Sequence, residues 1–130
     1  MSFPIQQIRF ARPTDQLTEL VRFYQEGLQF PIIGSFQDHD GYDGVLLGMP
    51  DGSVHLEFTQ HKNGSPCPAP TADNLLVLYF SDIDSRDAIA NRLQALGYQP
   101  VPPENSYWLG KGITVPDPDG WRVVLFYNPA

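Results

Sequence analysis

The sequence predicts an α+β domain made of two repeats, each a strand, a helix and three further strands. Three observations carry this. Apolar residues recur with strand spacing and then helical spacing, in the same order, twice along the chain. Turn-forming groups, among them Asp38-His39-Asp40-Gly41, Pro50-Asp51-Gly52 and Pro118-Asp119-Gly120, separate short extended stretches. Finally, Leu28-Gln29-Phe30 matches Leu96-Gly97-Tyr98 and the two Pro-Asp-Gly turns match each other, both at a shift of 68 positions. The same shift places Val21 on Ile89 and Ile8 on Leu76. One offset shared by strand, helix and turn points to duplication.

From Ile5 to Arg12, Ile8 and Phe10 alternate with Gln7, Arg9 and Ala11, the pattern of a strand with two unlike faces. Pro13 ends it, and Thr14 or Asp15 accepts from the free amides of a helix over Gln16 to Glu26. That helix carries Leu17, Leu20, Val21, Tyr24 and Leu28, and Gly27 is placed to close it in the left-handed conformation. Strands follow at Ile32 to Gln37, Tyr42 to Met49 and Ser53 to Gln60. Residues 61–73, with Asn-Gly and three prolines, read as a linker between a first repeat over about 5–60 and a second over about 74–127. In the second, Leu76, Leu78 and Phe80 form a strand. Asp84 or Ser85 starts a helix with Ala88, Ile89, Leu93 and Leu96, and Gly97 closes it. Strands are then expected near Tyr98, from Tyr107 to Val115, and from Trp121 to Tyr127.

The 130 residues fit one domain, and 42% hydrophobic residues fill a core. A net charge of −7 opposes attraction to phosphate backbones and anionic membranes, so neither nucleic acid nor membrane is an expected partner. No window approaches a membrane span, and Met1-Ser2-Phe3-Pro4 lacks a basic stretch before an apolar run. The expected compartment is the cytoplasm. The single Cys67, between Pro66 and Pro68 with no basic neighbour, reads as a loop cysteine rather than a catalytic thiol. Phosphate-loop, paired-cysteine and Gly-x-Ser-x-Gly signatures are lacking.

Phe23-Tyr24 followed by Gly27-Leu28-Gln29-Phe30, and Asp117-Pro118-Asp119-Gly120-Trp121 before the last strand, resemble motifs of the vicinal-oxygen-chelate superfamily. That superfamily includes glyoxalase I, bleomycin-resistance proteins, fosfomycin-resistance transferases and extradiol dioxygenases. The resemblance implies two βαβββ repeats forming a curved mixed sheet, a cup with helices outside, and commonly a homodimer. It also implies metal-ligand positions on the first and last strand of each half, which here fall on Gln7, Glu57, Leu75 and Val124. Only Glu57 is a usual divalent-metal ligand, and catalytic metals need about three. A shifted metal site would use His55 and Glu57, two apart on one strand face. Alternatively His55 and His61 are partly exposed strand residues, and His39, in an Asp-rich turn, is solvated. The 68-residue shift places Glu57 on Leu125, whereas strand phase pairs it with Val124, which implies a bulge or slipped turn.

Strand phase directs Val54, Leu56 and Phe58 to the helix and His55, Glu57 and Thr59 to the cup. Gln7, Arg9, Glu57, Thr59, Val77, Tyr79 and Val124 are then candidate ligand-binding residues, with Trp108 and Arg122 at the rim. Apolar walls with a few polar groups suit a small molecule, and Arg9 either holds an anionic end or pairs with Glu57. The leading expectation is a small-molecule binding protein without cofactor or catalytic metal. A metal-dependent lyase, isomerase or transferase with an atypical ligand set is the alternative, and an assembly module is a third. The sequence does not decide between binding and turnover.

Overall fold

The computed structural model describes residues 3–129, so Met1 and Ser2, read above for a leader, lie outside the described residues. The chain divides into two units, residues 1–67 and 68–130, each built around its own mixed sheet. No described helix is long and apolar enough to cross a membrane.

In the first unit, β1 (Ile8–Pro13) lies parallel to β4 (Val54–His61), followed by antiparallel β3 (Tyr42–Gly48) and β2 (Ile32–His39). β1 starts at Ile8 rather than Ile5 because its partner starts at Val54, the residue opposite. Pro13 extends the strand instead of ending it. On an edge strand its missing N–H leaves no ladder bond unmade. Between β1 and β2, α1 (Leu17–Val21) continues as a π-helical turn over Arg22–Gly27. Thr14 Oγ1 accepts from the Gln16 amide at 3.0 Å, and Gln60 Oε1 from β4 accepts from the Leu17 amide at 2.9 Å. Leu20, Phe23, Tyr24, Leu47, Leu56 and Phe58 are buried, and the rings of Tyr24 and Phe58 lie 4.7 Å apart. The face of β4 carrying Leu56 and Phe58 is therefore the one that the helix covers.

The π-helical turn corrects the expected helix end. The Leu28 amide donates to the Phe23 carbonyl five residues back, at 3.0 Å, so buried Gly27 sits inside the turn. The left-handed residue is Gln29, at φ 67. Its counterpart at the 68-residue shift is Gly97, at φ 99, which does end its helix. The chain reverses at the same place in both repeats, once through glutamine and once through glycine.

In the second unit, β5 (Leu75–Phe80) lies parallel to β7 (Arg122–Tyr127), and antiparallel β6 (Gly112–Pro116) flanks β7. Asp82, not Asp84 or Ser85, caps α2 (Ile83–Ala95), accepting from the amides of Asp84 and Ser85 at 3.2 Å. Leu93, Val115, Val123 and Leu125 are fully or almost fully buried. The buried carboxylate of Asp117 organises the turn before β7, accepting from the amides of Asp119 and Trp121 at 2.8 and 3.0 Å.

Two expected strands need correction. The one near Tyr98 is reduced to a single bridge, Val101 to Thr114, because Pro100, Pro102 and Pro103 surround Val101 and cannot donate to a ladder. The one expected from Tyr107 begins only at Gly112, since Ser106–Trp108 forms a 3-10 turn capped by Asn105.

The register explains the conflict over Glu57. β1 pairs Ala11 with Glu57, whereas β5 pairs Tyr79, the counterpart of Ala11, with Phe126. The last strands are thus out of step with the 68-residue shift by one residue. Such a slip moves a side chain to the opposite face, so the positions equivalent in face to Glu57 are Val124 and Phe126, not Leu125.

Candidate functional site

With one face of its sheet under the helix, the first unit turns the alternate residues to the other side. Registered partners point the same way. Arg9 and His55, Ala11 and Glu57, and Pro13 and Thr59 therefore share that face, with Leu46, Gly44 and Tyr42 of β3 and Phe36 of β2. Gln7 precedes β1 on the same side. His55 stands beside Arg9, and the small Ala11 leaves room for Arg9 to reach along toward Glu57.

The contacts are polar but loose. Arg9 Nη1 lies 3.8 Å from Glu57 Oε1, and Arg9 Nη2 lies 3.4 Å from His55 Nδ1. Gln7 Nε2 donates to the Gly52 carbonyl at 3.2 Å and lies 3.2 Å from His55 Nε2. Arg9 keeps 43% of its side-chain surface, while Glu57 keeps 19%. The pairing of Arg9 with Glu57 weighed above is thus present, but without the short, bidentate geometry that makes such pairs strong.

A donor count adds to this. Arg9 Nη2 faces His55 Nδ1 and the Gln7 amide nitrogen faces His55 Nε2, so whichever ring nitrogen carries the proton, one of these two donors meets no acceptor there. Donors face both ring nitrogens, and a neutral imidazole can accept at only one. Gln7, Arg9 and His55 together carry more N–H groups than the Glu57 carboxylate, the Gly52 carbonyl and one imidazole nitrogen can receive. Such a cluster has capacity for an acceptor-rich group.

Farther along the same face, Pro13, Phe36, His39, Asp40, Tyr42 and Thr59 line a groove of about 430 Å³. His39 is largely exposed, as expected from its turn. His61 is committed locally: its Nδ1 accepts from the Asn63 amide at 3.0 Å and its ring meets Tyr42 edge to face at 4.7 Å. The sequence reading missed Phe36 and Tyr42. Their alternation was visible, but the pairing of Phe36 with Gly44, which directs the ring, depends on register.

In the second unit, Val77, Tyr79, Val124, Phe126 and Thr114 share the face opposite the one that α2 shares with Ile113 and Val115. Three rings surround Phe126: Tyr79 at 5.6 Å, Trp108 at 5.5 Å and Tyr107 at 6.3 Å. Val124 is fully buried and Tyr79 is 63% exposed. Arg122 donates to the Pro102 carbonyl at 3.1 Å. Thr114, which the sequence reading passed over, is 2% exposed, and its hydroxyl has no hydrogen-bond partner among the described residues. A lone threonine at open-face phase between Ile113 and Val115 was the available signal.

The side chains at the superfamily's metal positions do not fit a divalent cation. Leu75 and Val124 are hydrocarbon, and Gln7 offers at most one neutral amide oxygen, a weak ligand for a divalent cation. For the shifted pair, the Arg9 guanidinium reaches both His55 and Glu57, and its positive charge opposes a cation there. Among the described residues, no three His, Cys, Asp or Glu side chains gather to hold a metal.

Comparison with known proteins gives consistent matches. Residues 8–59 match the YycE-like N-terminal domain and residues 73–127 the YycE-like C-terminal domain. Protein YycE of Bacillus subtilis (strain 168) is 52% identical over 124 residues, 95% of this chain and 89% of that protein. A crystal structure of a YycE protein of unknown function from Bacillus subtilis superposes with a TM-score of 0.92 at 49% identity, covering 98% of this chain and 93% of that one. Glyoxalase I of Leishmania major gives a TM-score of 0.72 at 19% identity, covering 97% and 87%. TnmS3, an antibiotic binding protein from Streptomyces sp. CB03234, gives 0.68 at 23%, covering 100% and 99%. The last two similarities speak to the fold alone.

Proposed function

This chain belongs to the YycE-like family, with the fold of the vicinal-oxygen-chelate superfamily, and on that premise we propose that it is a small-molecule binding protein working without a catalytic metal. Its guest carries an anionic or strongly polar end, which Arg9 holds with the help of Gln7 and His55. The single observation that carries this reading is the surplus of donors around Arg9, whose guanidinium is anchored among the described residues at 3.4 and 3.8 Å only. The fold also serves antibiotic binding in TnmS3, which argues for capacity and not for identity of ligand. The proposal includes a homodimer in the cytoplasm. Ile8 and Phe10, 60% and 58% exposed on an edge strand, supply apolar surface for association.

Two fluorescent probes test it: anilinonaphthalene sulfonate, and phenylnaphthylamine, the same ring system without the sulfonate. Arg9→Ala is expected to weaken the sulfonate probe about tenfold, the equivalent of one charge-assisted hydrogen bond. The neutral probe should keep its affinity within about twofold, a change too small for a lost ionic contact. Equal behaviour of both probes overturns the role of Arg9. Stoichiometric zinc, nickel or manganese in the purified protein, lost on Glu57→Gln, overturns the metal-free reading.

A further inference from the structure

We infer that the guest is elongated, with a planar aromatic end seated in the groove of Pro13, Phe36, Tyr42 and Thr59 while its anionic end lies at Arg9. The inference rests on the anion-binding reading above and names the chemical class of molecule that the whole face accepts.

The groove is an apolar slot with prearranged walls. Gly44 lies opposite Phe36 across the β2–β3 ladder, and a Cβ built on it would stand 2.2 Å from the Phe36 ring. The glycine therefore lets the ring lie down against the strand and cover it. Tyr42 is held edge-on against His61, which the Asn63 amide fixes in turn. His39 stands across from Phe36, with ring centroids 6.2 Å apart and planes 79° apart. Pro13 supplies a rigid apolar edge. The hydroxyls of Thr59 and Tyr42 are the polar groups on the sheet face of the groove, beside the rings of Phe36 and Tyr42, so the slot suits a flat, largely hydrocarbon surface.

Its position relative to Arg9 sets the spacing of the two ends. Pro13 is four residues beyond Arg9 on β1, and Thr59 two beyond Glu57 on β4. At about 3.3 Å per residue the groove thus begins roughly 7–13 Å from the guanidinium. A fused or linked pair of rings bearing a sulfonate, phosphonate or carboxylate spans that distance. A compact anion such as a short phosphonate does not.

Isothermal titration with three probes and three variants tests this. The probes are anilinonaphthalene sulfonate, neutral phenylnaphthylamine, and hexyl sulfonate, an anion without a ring. Phe36→Leu, which keeps apolar bulk and removes the ring, is expected to weaken both ring-bearing probes about fivefold, as for one lost aromatic contact, and to leave hexyl sulfonate unchanged. Tyr42→Leu, at a 40% exposed position, should do the same should Phe36→Leu fold poorly. Arg9→Ala should give the reverse pattern: both anions weakened, the neutral ring unchanged. Retention of ring-probe affinity in Phe36→Leu and Tyr42→Leu, with anion binding still lost in Arg9→Ala, overturns this inference and leaves the function above standing. Loss of ring binding with no effect of Arg9→Ala overturns both. A groove change that alters the mass in light scattering and not probe affinity assigns the slot to a second copy of the chain and also overturns the inference.

Discussion

The two halves of the chain follow one path and carry opposite chemistry. In both, the first strand runs parallel to the last and a helix covers one face. The face turned away from the helix carries Arg9, His55, Glu57 and Gln7 in the first half, and Val77, Val124, Phe126 and Tyr79 in the second. Strand pairing is satisfied by backbone groups common to every residue, so it survives replacement of the side chains above it. The face, having no such obligation, is free to gather a charged cluster on its first and last strands in one copy and apolar and aromatic groups on them in the other. Duplication thus preserves topology while leaving each copy's face to specialise.

The comparison holds most firmly in the core, where the halves should behave alike. Leu47 in the first and Leu93 in the second are both fully buried. Truncation of either to alanine is expected to cost about 3 kcal/mol in urea denaturation. A cost below about 1 kcal/mol in one of them would mean that its half is loosely packed and the likeness is one of backbone only.

The helix ends should differ in sign. Gly97→Ala forces a side chain into φ 99 and is expected to destabilise by about 1–2 kcal/mol. Gln29→Gly relieves the same strain but loosens the unfolded chain, so a gain of about 0.5 kcal/mol should remain in thermal melts. Destabilisation by Gln29→Gly would show that the glutamine side chain makes a contribution of its own. Thr114→Val removes a buried hydroxyl that has no partner among the described residues, and a gain of about 1 kcal/mol is expected. A loss would reveal a partner for that hydroxyl.

The smallest expected effect concerns the starts of the two helices, where Asp82 caps α2 and Gln60 Oε1 accepts from the first amide of α1. Hydrogen bonds from the Ser85 hydroxyl and then the Asp84 amide hold the Asp82 carboxyl below its ordinary value. A carboxyl lowered on folding stabilises the protein fully above its unfolded-state pKa, and that stabilisation is lost as pH falls through the folded value. Hydrogen exchange in α2 is therefore expected to quicken as pH falls below about 4 more than in α1, whose first amide is held by the neutral side chain of Gln60. Asp82→Asn should remove the difference. Equal acid response of the two helices in the unsubstituted protein would refute it.

Much of this was legible in the sequence, for reasons that differ by element. The strands of the first half and the division of β4 into Leu56 and Phe58 on one side and His55, Glu57 and Thr59 on the other follow from strict alternation. The cap at Asp82 was also legible, since the shift carries Thr14 onto it, but local residue preference pointed two positions later. The π-helical turn left no such trace, because one extra residue in a helix leaves the apolar spacing nearly intact. The missing strand near Tyr98 was announced by three prolines. Thr114 and Phe36 were beyond reach for a common reason: their surroundings are set by what lies across the ladder, which no single strand records.

The seat of Phe36 on Gly44 has a consequence for how this face can change over time. Any side chain at position 44 would collide with the ring, and loss of the ring would bare the strand beneath it. Neither residue can be replaced first without a less fit intermediate, so the two positions are expected to vary as a pair. Among related sequences, a side chain at the position of Gly44 should accompany a small residue at that of Phe36, and lineages that have made this exchange should have moved to guests of a different shape.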